Sequence, residues 1–124
     1  MRTVKEVGRN YTSDIDIPSA SIDYTTTTIT ANATLSDISG LVTVLCDCTS
    51  GNITISLPTA VGNQAAFNIK KIDSSSNTVT IDPNSSETID GAATVTIYDD
   101  DDFVQVQSDN SNWVITNLKL NLKW

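Results

Sequence analysis

The stretch IKKIDSSSNTVTIDPNSSETIDGAATVTIYDDDDFVQVQSDNSNWVI, Ile69 to Ile115, decides the fold. It is a ladder of short alternating segments separated by turn residues. Thr78-Val79-Thr80-Ile81 recurs as Thr94-Val95-Thr96-Ile97. Each copy puts its apolar residues on one face and its threonines on the other, the period of a half-buried strand. Asp82-Pro83-Asn84 stops the first copy, and Asp90-Gly91 is a turn signal ahead of the second. One echo is too little for a solenoid, so two strands of one sheet is the expectation. Asp99–Asp102 reads as an acidic turn, Phe103–Gln107 as a strand, Ser108–Asn112 as a turn and Trp113–Asn117 as a strand. Trp113 is expected in the core.

The same pattern continues upstream. Asp23–Thr30 is Thr-rich and β-prone. Leu41–Cys46 is a compact apolar run after Ser39-Gly40. Ile53–Leu57 alternates cleanly between Ser50-Gly51-Asn52 and Pro58. In Ala66–Ile72 the alternation breaks down at its end, where Lys71 and Ile72 sit on unexpected faces; a bulge or burial on both faces would explain this. Residues 1–20 carry no sustained period beyond Asp14-Ile15-Asp16-Ile17 and read as an extended arm ended near Pro18. The tail, Leu118-Lys119-Leu120-Asn121-Leu122-Lys123-Trp124, alternates strictly. Leu118, Leu120, Leu122 and Trp124 therefore form a candidate subunit or partner interface. The division expected is an anchoring arm over 1–20, a β-domain over 21–117 and a terminal strand over 118–124. About ten short strands without a helix point to an all-β chain, a compact antiparallel β-sandwich or jelly-roll-like domain.

Composition narrows function by exclusion. The chain has 124 residues and a net charge of −8. A single domain of this size with few aromatics has a modest core, and oligomerisation is a natural way to bury more. Arg2, Lys5 and Arg9 make the start basic, Lys119 and Lys123 the end; the acids crowd between. An acidic body lacks the basic footprint of nucleic-acid binding. Residues 1–20 lack the apolar stretch of a secretory signal, and no run is long enough for a membrane helix. Synthesis in a host cytoplasm is the expectation, with no membrane partner and no significance for the Asn-x-Thr matches. There is no histidine, so a Ser-His-Asp or Cys-His site within one chain is ruled out. There is no phosphate loop and no GxGxxG. No enzyme activity and no cofactor are expected.

Three clusters merit a weighing. Cys46 and Cys48 flank Asp47 and share a face of any strand there; extended backbone does not let them close a disulfide. Two reduced, buried residues is the main reading, and a zinc half-site completed across subunits the other. Asp99, Asp100, Asp101 and Asp102 are the strongest metal candidates, but four adjacent aspartates cannot all face one ion, and a solvated turn is the plainer reading. Lys70-Lys71 beside Asp73 offers an ion pair or a partner contact, against an ordinary exposed strand end.

In order and spacing, IKKID, SSNTVTI, Pro83, ETIDG, a second alternating strand, an apolar strand and then SD-x-x-NWVI resemble the small β-domains of tailed-bacteriophage fibre and capsid-decoration proteins. The resemblance spans roughly Asn52 to Ile115. It departs from the pattern where Ser111-Asn112 replace a glycine-containing step. It implies a virion structural protein and a homotrimer. A single domain without stalk or coiled coil then favours a trimeric capsid decoration (cement) or head-fibre protein on the outer capsid. The arm, with Arg2, Lys5, Arg9, Tyr11, Ile15 and Ile17, would anchor it to the major capsid protein or another virion protein. The alternative is a tail-fibre or baseplate module recognising host surface glycan. A scaffold absent from mature particles is a third class.

Overall fold

The computed structural model describes residues 5–7, 9–11, 24–36 and 40–121. All regular structure among them is β. Near the start, β1 (Lys5–Val7) and β2 (Arg9–Tyr11) pair antiparallel, Lys5 beside Tyr11 and Val7 beside Arg9. Part of the expected extended arm is thus a short two-stranded ladder. The chain continues through β3 (Tyr24–Ile29), β4 (Ala33–Thr34), β5 (Gly40–Cys46), β6 (Ile53–Ser56), β7 (Ala65–Lys71), β8 (Val79–Asp82), β9 (Val95–Ile97), β10 (Phe103–Ser108) and β11 (Trp113–Lys119). A five-stranded sheet has the order β11-β10-β7-β5-β3, and a four-stranded sheet the order β4-β6-β8-β9.

Both sheets are mixed, which corrects the purely antiparallel expectation. From β3 to β8 the chain changes sheet at every step. As a result β3, β5 and β7 lie parallel, as do β4, β6 and β8. Parallel neighbours need a crossover connection. Here a strand of the opposite sheet supplies it, which suits a chain poor in helix formers. The coils differ in length: Tyr24 lies beside Leu41, but Leu41 lies beside Ala66. From β9 onward the winding stops and pairing turns antiparallel. The two Thr-Val-Thr-Ile copies become neighbours in one sheet, with Thr80 opposite Thr96. Strands β10 and β11 then add antiparallel beyond β7.

One core joins the two sheets, an arrangement compatible with a sandwich. Val42, Val44, Phe67, Ile69, Val104, Val106 and Trp113 come from the larger sheet; Ile53, Ile55, Val79, Ile81 and Ile97 from the smaller. These sit at alternate positions along their strands, as the period-2 pattern requires. Each such side chain contributes about 1.5–3 kcal/mol by leaving water. Trp113 is fully buried and lies tilted against Phe67, ring centroids 5.7 Å apart.

Turns follow from local chemistry. Asp90 and Gly91 both have positive φ, 48° and 83°, and Ile89 and Ala92 exchange two backbone hydrogen bonds across them. This is the two-residue hairpin that Asp-Gly favours. In the Ser108–Asn112 turn, Asp109 Oδ1 accepts the backbone N–H groups of Ser111 and Asn112, and Asn110 has φ of 78°. Asparagine tolerates that left-handed conformation better than most residues.

Candidate functional site

The acidic turn between β9 and β10 gives its four aspartates different surroundings. Asp102 is buried; its carboxylate accepts Lys119 Nζ at 3.1 Å and the Asn121 backbone N–H at 2.8 Å. Asp99 accepts the Asn121 side-chain amide at 2.5 Å. Asp101 has φ of 68° and stands 3.7 Å from Lys70 in a solvent-exposed pair, a geometry that contributes little. Asp100 is exposed. The backbone of the turn extends the β7 ladder: the Asp101 N–H donates to Lys71 O, and the Lys71 N–H donates to Asp102 O. Two of the four carboxylates thus hold the residues after β11. Among the described residues, no group of three or more His, Cys, Asp or Glu side chains is placed to hold a metal ion.

A second polar cluster sits at the end of β7, where the sequence placed Lys71 on an unexpected face. There is no bulge. Ala65, Phe67, Ile69 and Lys71 all point inward and all are buried. Lys71 Nζ donates to Asp73 O at 2.6 Å, Asp73 Oδ2 at 3.2 Å and Ser75 O at 3.0 Å. Its three protons have three acceptors, the condition for keeping an ammonium inside. Asp73 in turn accepts the Cys48 N–H at 2.7 Å, the Ser75 N–H at 3.0 Å and the Ser75 hydroxyl. Burial works to raise the Asp73 pKa; the hydrogen bonds from Ser75, Cys48 and Lys71 outweigh it and hold the carboxyl well below the usual carboxylate range. Asn77 Nδ2 closes the cluster by donating to Cys48 O at 2.8 Å. The exposed strand end expected for Lys71 is therefore corrected to a buried lysine paired with a largely buried Asp73.

Cys46 and Cys48 are free, and both are buried. Burial pushes the Cys46 thiol up to about 12, with Cys48 and Asp73 adding to it, and pushes the Cys48 thiol up to about 11. Neutral, enclosed thiols are poor nucleophiles. A zinc half-site completed by another subunit would need these sulfurs at the surface, and neither is there.

The apolar stripe of the tail divides. Between β10 and β11 the register shifts after Gln105, leaving Thr116 as an extra residue: Gln105 pairs with Asn117 and Val106 with Ile115. This bulge moves the core-facing phase from odd positions, Trp113 and Ile115, to even ones, and Leu118 comes opposite Val104. Leu120 packs against the core, whereas Leu118 stays 47% exposed. Strand β11 also crosses the expected boundary after residue 117, running on to Lys119. Leu122 and Trp124 lie outside the described residues, as do Arg2, Ile15 and Ile17. For Lys5, Arg9 and Tyr11 the pairing of β1 with β2 is what the structure gives.

The free edge of β11 is sealed over its first half. The Trp113 N–H donates to Thr88 O, the Asp90 N–H to Trp113 O, and the Ile115 N–H to Asp90 Oδ1. Asn112 Oδ1 accepts the Thr88 N–H. At the other end of the same sheet β3 has no such cover: Tyr24–Thr28 are exposed on both faces. The sequence holds a signal for both features. A lysine in the core phase of a strand, with Asp73 two residues later, signals an internal ion pair. An uncharged threonine run in an acidic chain signals an edge unlike the others.

No family model matches this chain, and no curated protein matches it either.

Proposed function

We propose that this chain is a virion structural protein of a tailed bacteriophage. In this reading it is a homotrimeric decoration or head-fibre protein on the outer capsid, made in the host cytoplasm, with the major capsid protein or another virion protein as its partner. The observation that carries the reading is where the buried polar groups point. Lys71 and Asp73 are engaged with each other and with nearby backbone, and Asp102 with Lys119 and the Asn121 backbone. Such groups make a body rigid; they do not present chemistry to a substrate. The family resemblance over residues 52–115 supplies the virion. The basic residues Arg2, Lys5 and Arg9 supply the anchoring arm.

The deciding experiment compares the full chain with a variant lacking residues 1–20 for oligomeric mass and for binding to purified capsids, with electron microscopy locating the protein on particles. A trimer in both, with capsid binding lost on deletion, is the expected result. Capsid binding retained by the deletion variant sinks the arm, and a stable monomer sinks the trimer.

A second reading, a tail-fibre or baseplate module for host glycan, is favoured by two exposed aromatic rings, Tyr24 at 72% and Tyr98 at 41%. Aromatic faces stack on sugars. Glycan-array binding by the trimer, lost in Tyr24→Ala or Tyr98→Ala, would favour this reading over the capsid one.

A further inference from the structure

The geometry points to β3 as an edge that pairs with β3 of a second copy of this chain. Strand β3 has six residues, and one side of it is occupied by parallel pairing to β5. Among the described residues nothing hydrogen-bonds its other side. The core-phase positions Thr25 and Thr27, register partners of the inward Val42 and Val44, are exposed. The opposite sheet ends there at β4, which is two residues long. An edge of this length is a template for another strand.

Among the described residues, the other strand edges are short or closed over part of their length. Strand β4 has two residues, β1, β2 and β9 three each, and β11 is sealed over Trp113–Ile115 by Thr88 and Asp90. Proteins keep such edges from pairing with lysines, prolines, bulges or inward charges. Strand β3 has none of these. Its register with β5 is unbroken over all six residues.

Charge selects the occupant. From Tyr24 to Ser36 there is no ionisable side chain of Asp, Glu, Lys or Arg, in a chain of net charge −8. A charged partner strand finds nothing there to pair with. An uncharged strand of matching length does, and β3 is itself that strand. Two copies meeting antiparallel place threonine opposite threonine, a favourable cross-strand pairing, and they do so in a stretch where two acidic chains do not repel.

This inference goes beyond the trimer. An antiparallel contact between identical strands has a twofold axis, so it cannot close a ring of three; it joins one assembly to the next. Two six-residue strands bury little surface, so a single contact is weak.

The test is sedimentation equilibrium of the full chain over a concentration series, compared with Thr26→Lys/Thr28→Lys and with Thr26→Glu/Thr28→Glu. Both residues are exposed, and unchanged thermal melting verifies folding. At the highest concentration the wild type is expected to reach an even multiple of the chain mass, and both variants half of it. If the trimer holds this is a hexamer falling to a trimer; if the trimer fails it is a dimer falling to a monomer. Loss with either sign of charge marks a self-contact, because a charged partner would respond oppositely to the two. An odd multiple for the wild type, or an unchanged mass in either variant, overturns the inference.

Discussion

At the β11 end of the five-stranded sheet, Thr88 and Asp90 bond to the edge over Trp113–Ile115, and Asp102 catches Asn121 beyond the strand. At the β3 end, the six residues Tyr24–Ile29 meet a bonded neighbour on one side, β5. The two ends belong to one sheet and are of similar length, seven residues against six. What separates them is side-chain chemistry in the flanking turns. Short acceptors, Asp90, Asp102 and Asn112, reach backbone N–H groups at the closed end. Among the described residues, the threonines of β3 reach nothing comparable. Closing a sheet edge therefore requires specific carboxylates and amides, placed by turns, in addition to apolar burial.

The largest effect should come from the centre of the closed end. Trp113→Ala removes the largest fully buried side chain and should cost about 3–5 kcal/mol, read from the urea midpoint; a loss under about 1 kcal/mol would mean that the closed end does not depend on it. Next is Lys71→Ala, which takes the cation from the Asp73 carboxylate and the donor from two backbone carbonyls. A cost of about 3–5 kcal/mol is expected for breaking one partner of an enclosed pair. Lys71→Ala combined with Asp73→Ala should cost less than the sum of the two single changes, and strict additivity would show that the pair is not coupled.

A smaller effect is expected from Asp102→Asn, about 1–2 kcal/mol. Its amide exchange signature is specific: the Asn121 N–H should lose protection while Val44 in β5 keeps its own.

The pH dependence carries a component from Asp73. Its folded pKa lies below its unfolded one, so its stabilisation is complete above the unfolded value of about 3.9 and is lost as pH falls through the folded value. Wild-type stability should therefore fall below about pH 4. In Asp73→Asn this component of the acid-induced loss should be absent; an equally steep acid limb in that variant would assign the loss to other carboxylates. The smallest effect belongs to the open end. Thr26→Lys should change monomer stability by no more than about 0.5 kcal/mol, since both faces of β3 are already wet; a large loss would mean that β3 is covered.

Much of this fold could be read from alternation alone. The segments Ile53–Leu57, Thr78–Ile81, Thr94–Ile97 and Phe103–Gln107 all fall on observed strands, because period-2 burial is a local property. The parallel winding was not legible. Unequal coil lengths leave no repeat to detect, and strand direction depends on contacts between residues far apart in the chain. The tail was half legible. Strict alternation from Leu118 to Trp124 suggested one stripe; the extra residue at Thr116 takes the tail out of phase with Trp113 and Ile115, and within the tail Leu120 packs on the core while Leu118 stays exposed. The acidic turn was read as solvated, yet Asp102 is enclosed; nothing in a run of four aspartates distinguishes the one that a distant Lys119 and Asn121 will meet. Lys71 was visible as an anomaly, and its cause lay two residues away.

The switch from winding to antiparallel pairing also bears on the order in which the chain folds. Strands β10 and β11 are joined by the short 109–112 turn, and a hairpin of that kind forms in about 1–10 μs. The parallel contacts of β3, β5 and β7 each require closing a whole coil and form more slowly. Synthesis runs the other way. The ribosome releases the threonine strand and the first coils before Trp113, Asp90 and Asp102 exist to close the far end. During translation, then, the nascent chain displays its least protected edge longest, and yield in cells should depend more on crowding of neighbouring nascent chains than on the stability of the finished fold.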